Sequence, residues 1–245
     1  MEQRKWEELN KDCLVQIFER VGLESLLLNI PFVCKTWHKA SFDPLCWKTL
    51  DFGVLDMIFR GSFNYKFECQ YSIKKFSTTK FIMFVIRRSC GSAINVALPC
   101  NWTFEILEHI ANECPSLKRL YVTSTVWEEK ARFLAKLVGK FKYLEFLHLE
   151  HKNFPIKEIL CQISLHCKNF ISFSSSGTIT DEDASAIALI PKIKYLFMKE
   201  CRIRCEELLV ILQGCRELEF IELDLPFGIC MDHESCRFTT SHTKY

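Results

Sequence analysis

The sequence predicts an α/β fold, with a mainly helical head followed by a curved solenoid of about six helix–parallel-strand units. Three observations carry that expectation. A short apolar pattern recurs at near-regular intervals along most of the chain. Stripes of helical spacing lie between its copies, and the first fifty residues follow neither rule of the repeat.

The recurring unit has apolar residues at its first, fourth and sixth positions. It reads Ala93/Val96/Leu98, Leu117/Leu120/Val122, Leu144/Leu147/Leu149, Phe170/Phe173/Ser175, Ile193/Leu196/Met198 and Leu218/Ile221/Leu223. Successive intervals are 24, 27, 26, 23 and 25 residues. They fall inside the roughly 20–29 residue period of leucine-rich repeats, whose core reads L-x-x-L-x-L. Ser175 breaks the fourth copy, standing where a large side chain belongs. Each copy is expected to form a short parallel strand with one face inward.

Between the copies, apolar residues return at helical spacing. Ile106, Leu107 and Ile110 share a face, as do Ala131, Leu134 and Val138. Ile156, Ile159, Leu160 and Ile163 follow, then Ala184, Ile187 and Ala188, then Leu208, Ile211 and Leu212. Thr125 to Glu128 reads as a capping box, and Thr180 precedes three acidic residues at a helix's positive end. Pro115, Gly139, Pro191 and Gly214 stop the helices. One helix and one strand cannot enclose a core, so the units must stack.

The N-terminal block has its own pattern. Leu14, Ile17, Phe18 and Val21 share a helical face that opens near Asp12 and closes at Gly22. Ile17 and Phe18 fit the core of this block best. A second apolar segment runs from Leu26 to Ile30 and continues through Pro31 and Val33 to Trp37. Asp43-Pro-Leu-Cys-Trp47 then makes a turn. Roughly fifty residues cannot fully enclose so many large apolar side chains. An exposed apolar patch follows, and such patches mark protein partners. At the other end, Pro226 to Tyr245 shows neither helical nor strand periodicity.

Composition narrows the function classes. A formal net charge of +2, from 32 basic and 30 acidic residues, supplies no field for nucleic acid or an anionic membrane, so neither is expected as a partner. The densest apolar stretch, Phe81–Ile86, is too short to span a bilayer. The charged N-terminus lacks the apolar stretch of a signal peptide, so a nuclear and/or cytoplasmic location is expected. In those compartments thiols stay reduced, and most of the fourteen cysteines, including Cys90, Cys114, Cys167, Cys201 and Cys215, read as small buried hydrophobes. Cys230, His233, Cys236 and His242 are zinc-ligand types at a spacing that fits no common finger, so neither metal nor cofactor is expected. No nucleophile elbow, Walker loop, HExxH or dinucleotide fingerprint occurs, which favours a non-catalytic chain.

The head carries a specific resemblance. Leu9-Asn-Lys-Asp-Cys-Leu-Val-Gln-Ile-Phe18, Val33-Cys-Lys-Thr-Trp37 and Asp43-Pro-Leu-Cys-Trp47 resemble the F-box pattern LPxELLxxIF…VCrxW…DPxLW in order and spacing. Asn10 replaces the usual proline and Cys13 a leucine; Asn10 can still serve as a helix N-cap. With the repeats behind it, the chain resembles plant F-box/LRR-repeat proteins. On that resemblance residues 1–50 are the F-box, 51–77 a linker or first irregular repeat, 78–225 the leucine-rich repeats and 226–245 a tail.

The resemblance implies a three-helix F-box that binds a Skp-family adaptor and, through it, a cullin and a RING protein. Its adaptor-binding positions would be Leu9, Asn10, Leu14, Ile17, Val33, Cys34, Trp37, Leu45 and Trp47. The implied function is target recognition within an SCF-type ubiquitin ligase. A non-catalytic scaffold working outside ubiquitin transfer is the alternative. The target is expected on the concave sheet face, where side chains between the apolar positions point. Arg119, Tyr121, Phe146, His148, Tyr195, Phe197, Phe220 and Glu222 are the candidates, with the phenylalanines and Tyr195 expected to be exposed aromatics.

Overall fold

The computed structural model describes residues 6, 9–53, 62–123, 128–150 and 156–223. The head is helical. Asn10 caps the first helix, α1 (Lys11–Phe18), by accepting the Asp12 N–H at 3.0 Å. A wide helical turn over Ser25–Asn29 runs into a tight one over Ile30–Phe32 and then α2 (Lys35–Ser41). Asp43 caps the last turn, Pro44–Trp47, through the Leu45 N–H at 3.2 Å.

The solenoid begins inside the head's own motif. Seven parallel strands form one sheet in strict chain order among the described residues. They are β1 (Thr49–Asp51), β2 (Asn95–Ala97), β3 (Arg119–Thr123), β4 (Phe146–Glu150), β5 (Ser172–Thr178), β6 (Tyr195–Arg202) and β7 (Phe220–Leu223). Six of these are the repeats read from the sequence. The additional strand, β1, places Trp47, Leu50 and Phe52 at positions one, four and six, all fully buried. Leu50 pairs with Val96, so the register continues unbroken from the head into the repeats.

Among the described residues two helices lie between β1 and β2, α3 (Ser62–Tyr71) and α4 (Thr78–Arg88), where later units show one. The later helices are α5 (Phe104–Glu113), α6 (Glu128–Val138), α7 (Lys157–His166), α8 (Asp181–Ala188) and α9 (Cys205–Gly214). The expected stripes of these repeat helices turn inward, with Ile106, Leu134, Ile159 and Ile187 in the common core, while Ala188, Leu208 and Leu212 are only part-buried. Thr125 and the zinc-like tail residues lie outside the described residues. A Cβ at Gly214 would run into Ala188, so that helix end needs a glycine to approach its neighbour.

Backbone bonds repeat with the units. The carbonyl of Lys48 accepts the N–H groups of both Ile94 and Asn95, at 2.9 and 3.0 Å. Those of Ile94, Lys118, Glu145, Ile171 and Lys194 do the same for the next unit. Cys114, Cys167 and Cys215 each cap a helix three residues before a first position. Burial accounts for five of the twelve described cysteines, Cys46, Cys114, Cys167, Cys201 and Cys215; the other seven are exposed or part-buried, against the expectation that most would be buried. Cys167 Sγ donates to the Phe141 carbonyl at 3.4 Å and Cys215 Sγ to that of Ile187 at 3.7 Å, near the preceding unit's helix end. Burial pushes the Cys114 and Cys201 thiols up to about 12 and those of Cys167 and Cys215 to about 11. Such thiols stay protonated and inert. Cys90, expected among the buried cysteines, is instead exposed.

One buried carboxylate ties two helix starts together. Thr180 and Asp183 form the capping box of α8, and Asp183 is fully buried. Its Oδ2 accepts from the Thr180 N–H and Oγ1–H at 3.1 and 2.8 Å. Its Oδ1 accepts the Ile156 and Lys157 N–H groups of α7 at 3.0 and 3.1 Å. Removing the carboxylate strands donors in both helices. Asp183→Ala is therefore expected to lower unfolding free energy by about 3 kcal/mol in urea titration, against about 1 kcal/mol for Thr180→Ala. Equal losses in the two variants would show that Asp183 does no more than cap its own helix.

Candidate functional site

Two surfaces stand out, one on the head and one on the sheet. On the head, helix α1 turns Leu14, Val15 and Phe18 into the core. Ile17, expected beside Phe18 in that core, faces outward and is 42% exposed. Val15 and Ile17 flank the Leu14–Phe18 stripe on opposite sides of α1, and the head packs on the Val15 side; the helix itself stops at Phe18, and Val21 reaches the core part-buried from beyond its end. Trp37 packs edge-on to Phe18 at 5.2 Å and sits half-buried.

The nine expected adaptor positions divide accordingly. Leu14 and Trp47 have no exposed surface, and the Trp47 indole N–H donates to the Ser41 carbonyl at 2.9 Å. Both hold the head together and offer a partner nothing to touch. Leu9, Cys34 and Trp37 are half-buried, and Asn10 is exposed but engaged as the N-cap. Val33 and Leu45 stand out at 57% and 47% exposure. Phe32 and Phe42, at 50% and 47%, join them. Neither belongs to the F-box pattern. The available signal was their place at helical boundaries beside Pro31 and Asp43, where a large side chain has no inward direction.

An ion pair fixes the loop that carries Leu45. Lys11 Nζ meets Asp43 Oδ2 at 2.7 Å, bringing the start of α1 to the Pro44 turn. The hydrogen bond from Lys11 holds the Asp43 carboxyl below the usual range. The head thus presents apolar side chains on a framework whose polar groups are already satisfied.

The sheet surface is the face opposite the helices, with two side-chain columns in register. Arg119 stacks over the Phe146 ring at 5.3 Å, and Tyr121 lies 5.0 Å from Phe146 and 5.9 Å from His148. His148 Nδ1 and Ser174 Oγ are 2.8 Å apart. Farther along, Phe197 and Phe220 lie 5.6 Å apart, and the Tyr195 hydroxyl donates to Glu219 at 2.9 Å. Phe220 is 48% exposed, Tyr195 and Phe197 are half-buried, and Glu222 pairs with Lys199. Phe146 departs from expectation. Although its side of the strand is outward, Arg119 and Tyr121 lie against it and leave it buried. Ser172 and Ser174 are also buried, being short between large neighbours.

Residues 6–53 match the F-box-like family model. The head is an F-box-like domain. The F-box protein FBW2 of Arabidopsis thaliana is 28% identical over 242 residues, covering 95% of this chain and 72% of that protein. An Arabidopsis thaliana F-box/LRR-repeat protein is 29% identical over 228 residues, covering 90% and 72%. The F-box protein SKIP19, also from Arabidopsis thaliana, is 24% identical over 233 residues, covering 93% and 72%. The likeness runs through head and repeats together, as expected for an F-box protein with a leucine-rich-repeat body.

The sheet surface has a pH signature. Burial holds the His148 pKa below its usual value of 6.5, outweighing Glu150, which raises it. Below that usual value the unfolded chain takes up a proton that the folded one resists. Stability linked to His148 is therefore full above pH 6.5 and falls as pH drops toward the lowered folded value. Thermal melts of wild type and His148→Gln across pH 7.5 to 5 should converge or cross on acidification, because the variant lacks this proton uptake. Parallel curves would remove His148 from the account.

Proposed function

We propose that the chain is the target-receptor subunit of an SCF-type ubiquitin ligase, its head held by a Skp-family adaptor and its sheet face holding the target. One observation carries the reading: Ile17, Phe32, Val33, Phe42 and Leu45 all project large apolar surface from the F-box-like head. Exposed apolar anchors on a rigid helical frame are what a partner's groove accepts. Large apolar side chains left open to water in such number on one small head are the kind a partner covers. The same arrangement favours a non-catalytic role. The chain would raise the concentration of a target beside a ubiquitin-charged enzyme and leave bond chemistry to other subunits. On this reading it works in the nucleus and/or cytoplasm, through an F-box over residues 1–50 and repeats over 78–225.

Burial separates anchors from framework. Ile17→Asp with Leu45→Asp should cut capture of a purified Skp-family adaptor at least tenfold while leaving the thermal melt close to wild type. Trp47→Ala should instead destabilise the fold by about 3–5 kcal/mol and lose the adaptor only as a consequence. Undiminished capture by the folded double variant would rule out this face. A wild-type chain with no adaptor affinity would leave the ligase reading without support and favour the scaffold.

A further inference from the structure

The sheet face carries most of its basic side chains already paired. Lys118 meets Glu145 at 2.8 Å, Lys194 meets Glu219 at 2.6 Å and Lys199 meets Glu222 at 3.6 Å. Lys48, at the head end, meets Glu19 at 2.9 Å. Arg119 differs: it is exposed, stacked on Phe146, and has no carboxylate partner among the described residues. At the other end of the face, Phe197 and Phe220 pair with much of Phe220 open to solvent. Between these two points the groups satisfy one another. Phe146 is covered, Tyr121 and His148 pack side by side, and His148 bonds Ser174.

We propose that this face takes an extended target segment lying across the strands, with an acidic side chain on Arg119 and a large apolar side chain on Phe197 and Phe220. Here the target reading above is assumed, and the segment's chemistry is added to it. Spacing follows from the sheet. Arg119 is on β3, Phe197 on β6 and Phe220 on β7, three and four strands away. At about 4.8 Å per strand this is roughly 14–19 Å, and an extended chain rises about 3.3 Å per residue. The acidic and apolar residues therefore stand about four to six positions apart. A stacked guanidinium suits a carboxylate, binding it through paired N–H donors. A phosphate dianion would call on a second cation, and the adjacent Lys118 is already held by Glu145.

The test is a displayed library of randomised twelve-residue peptides, panned on the full chain both with and without a Skp-family adaptor added. Enriched peptides should share Asp or Glu about four to six positions from Leu, Ile, Met, Phe or Trp. A synthetic peptide of that kind should lose at least about tenfold in affinity to Arg119→Glu, and regain it when its acidic residue becomes Lys. Phe220→Ala should weaken the same peptide without disturbing the charge swap. Arg119 and Phe220 are both exposed, so melts of these variants should match wild type. Enriched peptides without an acidic residue, or indifferent to Arg119→Glu, overturn the proposal, as would a preference for phosphopeptides. No enrichment on a chain that still holds its adaptor also overturns it and leaves the adaptor assignment standing. Enrichment of the acidic–apolar motif on a chain that never binds adaptor sustains the face chemistry while removing the ligase.

Discussion

No strand of this protein can bury its apolar side alone, and that constraint organises everything else. Each unit contributes about three inward residues and one helix stripe, far too little for a separate core. Stability comes only from the neighbour on either side. The paired N–H bonds to each second-position carbonyl fix how neighbours meet, from Lys48 at one end to Lys194 at the other. Once that register is set, the outward columns are set too, because a strand's side chains alternate. The residues opposite the core are consequences of the residues inside it.

The same constraint joins head to body. Trp47 closes the F-box pattern and is also the first position of the first strand, with Leu50 and Phe52 completing that unit. The junction is reinforced on several sides. The Tyr71 hydroxyl donates to the Leu27 carbonyl at 2.8 Å, and Ser92 Oγ donates to that of Pro44 at 2.6 Å. Arg88, ending α4, lies over Phe42 at 4.3 Å and Phe84 at 4.7 Å, with its guanidinium stabilised by ring faces. A boundary drawn between a head at 1–50 and a body at 78–225 therefore divides one continuous core.

Much of this was legible in the sequence, and the failures have physical causes. The six later strands were readable because a period near 25 residues leaves little choice of register. The first strand escaped because two helices, α3 and α4, separate it from the second, stretching one interval to nearly twice the rest. On α1, Val15 and Ile17 flank the Leu14–Phe18 stripe on opposite sides, and a helical wheel cannot say which is turned inward. Tertiary packing of the head decides for Val15. For Phe146, alternation correctly gave the side of the sheet. It could not give the exposure, which depends on Arg119 and Tyr121 lying against the ring. Sequence pattern reports direction well; it reports covering by neighbours poorly.

The continuous core has a consequence for how the two surfaces work together. When two binding modules are joined by a flexible linker, the effective concentration between their ligands depends on linker length and falls as the linker grows. Here the path from Leu45 to Arg119 runs through buried Trp47, at the end of the turn before β1, and then Leu50, Val96 and Leu120, buried residues in consecutive paired strands. Their separation is fixed by strand spacing and cannot relax. On the proposed reading, a receptor built this way would hold a target on its sheet at one distance and angle from the adaptor on its head. A change in the Trp47 unit that weakens the fold would, on that reading, cost adaptor binding and the geometry between the two surfaces together, although Trp47 itself is buried and touches neither partner.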